Sequence, residues 1–350
     1  MRRTPLYPLH RRMRARFVPF AGWEMPLQFS SVLEEARAVR RKVGVFDVSH
    51  MGRIFVSGPR AEEFLEWATT NRVSKLTEGR VQYSLLLNER GGTLDDVTVY
   101  RLGPREFMLV VNAANREKVL RHLSELNSDF GCRIGDKTEE LVQLAVQGPE
   151  AKEVLEEFFP GVSELRYYSF GRWGEALVSR TGYTGEDGFE VYLPAEGGLS
   201  LYEKLLEKGV KPCGLGARDV LRIEAGFPLY GRELGEDLDP REANLSRFID
   251  LSKDFFGKEA LLSREPKRRL RGLILKERRV ARGGERVLRG EVEVGTVTSG
   301  TFSPNLERSI ALAFLDPSVE TGSEVLVEVR QRAVPAEVVR SRFVDNTLKG

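Results

Sequence analysis

The adjacent carboxylates Asp95 and Asp96 lie within an alternating stretch, Leu94-Asp95-Asp96-Val97-Thr98-Val99-Tyr100. Successive side chains of a strand point to opposite faces, so Asp96, Thr98 and Tyr100 share one face and Asp95, Val97 and Val99 the other. If Val97 and Val99 pack into a core, Asp96 and Tyr100 look together at either solvent or a cavity. A carboxylate in a cavity can stabilise a developing cation or handle a proton. One that faces water does neither, and spacing alone favours the watery alternative.

Other candidates are ambiguous when taken singly. The loop Arg180-Thr181-Gly182-Tyr183-Thr184-Gly185-Glu186-Asp187-Gly188 reads as a long hairpin turn whose glycines supply positive φ. It also reads as a loop that approaches a ligand closely, with Glu190 just beyond as an acceptor for amide-like N–H groups. Gly214-Leu215-Gly216-Ala217-Arg218-Asp219 lacks the third glycine of a dinucleotide loop and no apolar strand leads into it, which excludes a Rossmann site. Arg218 and Arg222 are four apart on the helix that follows, so they form either a solvated stripe or a pair of cations for an anion. Asp219 is placed to neutralise Arg222. The three histidines, His10, His50 and His122, share no metal-ligand spacing, which argues against zinc and Ser-His-Asp chemistry; His50 reads as structural, and no metal is expected. Cys132 and Cys213 read as reduced thiols.

The elements that must position these groups are legible in part. Arg53–Ser57 has the pattern of a strand, and Pro59 opens a helix with Phe64, Leu65 and Ala68 on its apolar stripe. Gln82–Leu87 and Thr93–Tyr100 form a hairpin through Asn88-Glu89-Arg90-Gly91-Gly92. A strand at Glu106–Val111 and a helix at Asn115–Leu126 complete a first round. A second round runs through strand Leu141–Val146, a helix opened by Pro149, strands Glu175–Ser179 and Phe189–Leu193, and helix Leu199–Glu207. Two α+β layers with antiparallel sheets follow from that order. After the charged link Arg264-Glu265-Pro266-Lys267-Arg268-Arg269 come short strands at Leu270–Leu275, Val292–Val297, Ile310–Phe314 and Glu324–Val329, the pattern of a small β-barrel or sandwich.

The bulk numbers agree with a folded, globular protein. The chain has 350 residues, more than one core usually supports. Apolar residues make up 41% and charged residues 30%, and the net charge is only +2, too little for nucleic-acid binding. No apolar stretch reaches membrane-spanning length. The basic cluster from Arg2 to Arg16 resembles a transit peptide in composition. It is expected to stay on the mature protein as a solvated surface, because the resemblance described next runs from Thr4 onward.

Six segments in register resemble the T-protein of the glycine cleavage system. They are Phe20–Pro26, Val45–Gly52, Gly91–Asp96, Arg180–Gly188, Gly214–Gly226 and Thr298–Pro304. The resemblance implies a three-domain cloverleaf: a folate-binding body of two interleaved α/β subdomains over 1–262, capped by a C-terminal β-barrel over 268–350. It implies that an aminomethyl group on the lipoyl arm of H-protein passes to tetrahydrofolate, with ammonia, 5,10-methylenetetrahydrofolate and the dihydrolipoyl carrier as products. The P- and L-proteins of that system would be its associates, and the cytoplasm its compartment. By position in the motifs, Asp96 is the catalytic acid and Glu190 the pterin-binding glutamate. Arg222 is the folate-contacting arginine, and Tyr83, Tyr100, Tyr183 and Asn112 complete the site. An ordinary Asp titrates near 3.9, so Asp96 is expected to be ionised, a weak base acting mainly through its charge.

Two departures from the family pattern stand out: Arg247 replaces a common tryptophan, and the tail Phe343-Val344-Asp345-Asn346-Thr347 lacks a tyrosine found in some relatives. Non-catalytic folate-binding relatives that support iron–sulfur enzymes carry a Lys-Gly-Cys-Tyr motif, whereas this chain has Asp254-Phe255-Phe256-Gly257-Lys258-Glu259. Folate-dependent demethylases of the same fold are the remaining alternative.

Overall fold

The computed structural model describes residues 1–345, so the last two residues of the tail segment named above lie outside the described residues. Its architecture follows from where the apolar strands pair. A six-stranded sheet takes Gly44–Asp47, Leu141–Gln147, Phe170–Trp173, Ala176–Ser179, Gly188–Pro194 and Lys211–Cys213. A five-stranded sheet takes Gly52–Ser57, Val81–Leu87, Thr93–Gly103, Glu106–Val111 and Arg133–Asp136. The second sheet is built entirely from chain lying between the first two strands of the other, so the two α+β layers interleave. All pairings within them are antiparallel except Lys211–Cys213, which runs parallel to Gly44–Phe46.

Arg53 pins the two points where the chain leaves one sheet and returns. It is 0% exposed and donates to the carbonyls of Ser49 and Met51 on the way out and of Thr138 and Leu141 on the way back. Its two Nη groups are spent in this way, which offsets most of the cost of burying a guanidinium, while Nε has no hydrogen-bond partner among the described residues.

Each layer covers one sheet face with its own helices. Ala61–Ala68 and Arg116–Leu126 bury Phe64, Leu65, Val119 and Leu123 against Val97, Val99 and Leu109. Ala151–Glu156 and Ala195–Glu207 bury Leu155, Leu201 and Tyr202 against Val142, Leu144 and Val191. The opposite faces meet around Tyr100, Met108, Phe170 and Tyr192. An N-terminal helix, Tyr7–Arg12, and a two-stranded hairpin, Arg16–Phe20 with Trp23–Gln28, precede these layers. Thr4 and His10 tie that segment to the first sheet through Asp47, at 2.5 and 3.0 Å.

The remaining chain closes a six-stranded barrel from Arg269–Leu275, Arg286–Arg289, Val292–Ser303, Arg308–Leu315, Glu324–Val329 and Arg332–Val339. Closure removes the exposed edges that an open sheet would carry. The barrel is clamped to helix Leu215–Ala225, where Ser303 donates to Glu224 at 2.5 Å and Ser299 accepts from Arg222 at 2.8 Å. The segment Thr298–Pro304 therefore forms a joint between barrel and body.

Candidate active site

The two sheets, the helix Leu215–Ala225 and the barrel leave a cavity of about 1530 Å³ between them. That exceeds the roughly 300–1,000 Å³ of an ordinary small-molecule site.

Asp96 reaches this cavity because its hairpin is held rigidly at the tip. The Asn88 carboxamide oxygen accepts from the backbone N–H groups of Arg90 and Gly92, at 3.0 and 2.9 Å. Gly91 takes φ +75°, and a Cβ at Gly92 would lie 1.7 Å from the Glu236 carbonyl oxygen. Only glycine allows the turn to press against that segment. The strand period then does what alternation implies: Val97 and Val99 are buried in the core and Asp96 lines the cavity.

The Asp96 carboxylate is held from both sides. The Tyr83 hydroxyl donates to Oδ2 at 3.0 Å and Asn112 Nδ2 donates to Oδ1 at 2.7 Å. Asn112 Nδ2 also lies 2.7 Å from Asp95 Oδ1, the Asn112 backbone N–H donates to Asp95 Oδ2 at 3.0 Å, and Asn115 donates to Asp95 Oδ1 at 2.7 Å. Asp95 is wholly buried behind the wall and orients the asparagine that orients Asp96. Burial raises the proton affinity of both acids, and the charge of Asp96 raises that of Asp95 further. The ordinary titration expected for Asp96 therefore does not apply in this pocket. Desolvation outweighs the hydrogen bonds from Tyr83 and Asn112, which act in the opposite direction.

Glu190 faces the same cavity from the other sheet. Gln143 Nε2 donates to Oε1 at 3.1 Å and the Thr181 hydroxyl donates to Oε2 at 2.6 Å, which fixes the carboxylate and leaves lone pairs for a ligand. The loop Arg180–Gly188 is braced by the double contact of Arg180 with Asp187, at 2.9 and 2.8 Å. Tyr183 projects from it into the cavity, stacks on Phe227 and donates to the Pro228 carbonyl at 2.5 Å.

Two expected site residues are placed differently. Tyr100 shares a strand face with Asp96 but does not line the cavity: it is 0% exposed, and its hydroxyl is hydrogen-bonded to Ser179 and Tyr192, both at 2.9 Å. Strand alternation puts the two on one side, yet by Tyr100 the second sheet has closed over that side. Arg222 borders the cavity, but all its nitrogens are committed. Nε donates to Asp219 at 2.8 Å, Nη1 to Glu233 at 3.0 Å and Nη2 to Ser299. It joins body to barrel.

Arg218, on the same helix, is an available cation. It lies over the Tyr183 ring at 4.8 Å from the centroid, lines the cavity and has a buried Nη1 with no hydrogen-bond partner among the described residues. His50 also lines the cavity, and burial together with the nearby Arg218 charge pushes its proton affinity well down, which keeps the ring neutral. Helix spacing had shown Arg218 as one of a pair without saying which member was free; nothing in the sequence marked His50 as cavity-facing. Among the described residues no group of three or more His, Cys, Asp or Glu side chains is placed to hold a metal ion.

Two interleaved α+β layers and a barrel thus surround a cavity with a hydrogen-bonded carboxylate at its wall, the arrangement of a candidate active site. The comparisons with known proteins narrow the reading. Residues 6–253 match the GCVT N-terminal domain and residues 268–345 the glycine cleavage T-protein C-terminal barrel domain. The aminomethyltransferase of Aquifex aeolicus is 52% identical, covering 97% of this chain and 95% of the relative. That of Thermus thermophilus is 49% identical, covering 98% and 99%. The crystal structure of the glycine cleavage system aminomethyltransferase T from Bartonella henselae superposes with a TM-score of 0.94 at 36% identity, covering 99% of this chain and 98% of that one. The chain belongs to the glycine cleavage T-protein family, whose activity is aminomethyl transfer.

Proposed function

We propose that the acceptor is tetrahydrofolate and the donor the aminomethylated lipoyl arm of H-protein, with Asp96 the group that stabilises the reacting one-carbon unit. The observation that carries this reading is the fixed, half-buried carboxylate of Asp96 at the wall of a cavity of about 1530 Å³. In the reaction the methylene carbon leaves sulfur and nitrogen and joins two folate nitrogens, and ammonia and the free thiol take up the protons released there. Positive charge grows on that carbon as its bonds loosen. A carboxylate already oriented by Tyr83 and Asn112 offsets the charge without reorganising, in surroundings where partial burial weakens screening by water.

Raised proton affinity also makes Asp96 a better proton acceptor than an ordinary aspartate. Glu190 suits the N–H donors of a pterin, Tyr183 offers a ring face, and Arg218, rather than Arg222, supplies the uncommitted cation for a folate oxygen. Tyr83 and Asn112 act on the ligand through Asp96. The body over 1–262 and the barrel over 268–350 would then be the two functional parts. No described helix is long and apolar enough to cross a membrane, and a cytoplasmic setting with the P- and L-proteins as system members goes with this reading.

The direct test is to mix the enzyme with aminomethylated H-protein and follow ammonia and methylenetetrahydrofolate together. Both should appear in equal amounts and only when tetrahydrofolate is present. Ammonia release at the same rate without folate would refute the proposal, as would one-carbon transfer from a small sulfonium compound in place of the carrier.

A further inference from the structure

The helix Arg116–Leu126 begins directly after Asn112 and Asn115, the two asparagines that brace Asp95 and Asp96. Lys118, in its first turn, reaches out to the irregular segment that follows helix Leu215–Ala225. Its ammonium donates to the Tyr230 hydroxyl at 2.8 Å and to Glu236 Oε1 at 2.7 Å. It also lies 4.7 Å from the centroid of the Tyr230 ring. Tyr230 and its neighbour Leu229 line the cavity. The lysine therefore spans from the helix behind the catalytic carboxylate to a separate piece of the cavity wall.

That piece of wall also supports the hairpin that carries Asp96. The Gly235 carbonyl accepts from the Thr93 N–H at 3.0 Å, and the Glu236 carbonyl accepts from Asn88 Nδ2 at 3.0 Å. The Glu236 carbonyl is the one against which Gly92 packs. Further back, buried Glu233 accepts from the Leu229 N–H and from Arg222, both at 3.0 Å, which roots the segment in the joint with the barrel. The contacts close a ring. It runs from Asp96 to Asn112, along the helix to Lys118, across to Glu236, on to the hairpin tip, and down the strand to Asp96 again. In a closed ring a tilt that one arm permits is blocked by the other, so the carboxylate keeps one place relative to the cavity. The Lys118 and Glu236 side chains are part-exposed, and such an ion pair adds little to stability by itself. Its leverage is geometric.

We infer that Lys118 is a positioning residue for aminomethyl transfer, which sets the Asp96 carboxylate against the bound reactants by tying its helix to Tyr230 and Glu236. The inference rests on the Asp96 reading above and adds to it the group that holds the hairpin and the cavity wall in one frame. Glu190 and Tyr183 are carried by the other sheet and its loop, so they stay in place when Lys118 is lost. Ligand binding is then retained while the distance from carboxylate to reacting carbon drifts. A small misplacement of that kind costs more in the transition state than in the ground state.

The experiment compares Lys118→Met, Asp96→Asn and the double variant with the unaltered enzyme. It measures the single-turnover rate with aminomethylated H-protein and the Kd of tetrahydrofolate on each preparation. Methionine keeps the apolar stem and removes the charge and its donors. Lys118→Met should slow transfer about tenfold and leave the folate Kd within about twofold of the parent. In the Asp96→Asn background the same substitution should slow transfer no further, because it acts through that carboxylate. Transfer at the parent rate in Lys118→Met overturns the inference. So does a loss of rate matched by an equal loss of folate affinity, or one that persists in full without the Asp96 charge. If Lys118→Met does not fold, Tyr230→Phe decides, since it removes a single hydroxyl: a slower rate at unchanged Kd supports the inference and the parent rate overturns it. Parent-rate transfer by Asp96→Asn defeats the Asp96 reading itself, whereas a slow Asp96→Asn beside an unslowed Lys118→Met defeats the role of Lys118 alone.

Discussion

At the scale of single residues, the site is organised around a carboxylate partly withdrawn from water and given two donors. Tyr83 lowers the proton affinity of Asp96 while burial raises it, so removing the hydroxyl shifts the balance in a known direction. Tyr83→Phe should move the acid limb of the kcat/KM–pH profile to higher pH by roughly half a unit to one unit, the equivalent of one hydrogen bond. An unmoved limb would mean that Asp96 ionisation does not govern the rate. The same burial carries a stability cost. A carboxyl whose folded-state affinity is raised binds protons more readily folded than unfolded, so its contribution falls as pH climbs from the ordinary carboxylate range to the raised value. Asp96→Asn removes one such group and relieves Asp95. Relative to the unaltered enzyme it should therefore gain about 1 kcal/mol in urea unfolding between pH 5 and pH 8. A gap that stays constant or reverses would contradict that picture. Which residues carried such effects was only partly legible beforehand. Asp96 could be named because alternation fixes a face, whereas the loss of Tyr100 and the commitment of Arg222 depend on a second sheet and a barrel strand distant in sequence.

Among the elements, the hairpin from Val81 to Gly103 does the positioning, and its tip decides its orientation. Gly92→Ala would drive a methyl group into the Glu236 carbonyl, and because backbone cannot swing away as a long side chain can, the turn must shift. The expected cost is about 1–3 kcal/mol in urea unfolding, with a larger proportional fall in kcat than in folate affinity, since Asp96 moves while Glu190 does not. A variant as stable and active as the parent would show that the tip does not control Asp96. The hairpin was readable from its Asn-Glu-Arg-Gly-Gly turn, as were the barrel strands from their short, glycine-punctuated runs. The barrel strand beginning at Val292 runs on to Ser303, beyond the Val297 end that apolar pattern suggested, because its last residues face helix Leu215–Ala225 with serines instead of aliphatics. Mixed polarity at a buried joint hides a strand from periodicity.

For the molecule as a whole, the cavity exists only while the barrel stays seated on the body. The seat joins apolar contacts around Leu85, Ile223, Leu270 and Leu312 to the buried cluster of Arg222, Glu233 and Ser299. Arg222→Ala would leave Glu233 buried without its cation, a loss of about 3–5 kcal/mol, and thermal unfolding should separate into two transitions as barrel and body uncouple. A single, unshifted transition would remove Arg222 from that role. The interleaving of the layers was implied by family resemblance and not by pattern, for no local signal shows that strand Gly44–Asp47 pairs with Leu141–Gln147 across an intervening sheet.

The account turns on the charge of Asp96 meeting a one-carbon unit as it becomes positive. The most direct measurement is single-turnover transfer from aminomethylated H-protein to tetrahydrofolate by Asp96→Asn, with the folate Kd taken on the same preparation. The expected result is near-unchanged folate affinity with transfer slowed by at least about a hundredfold, the scale on which removing an oriented charge-stabilising group acts. Transfer at the parent rate, with folate bound as before, would contradict it.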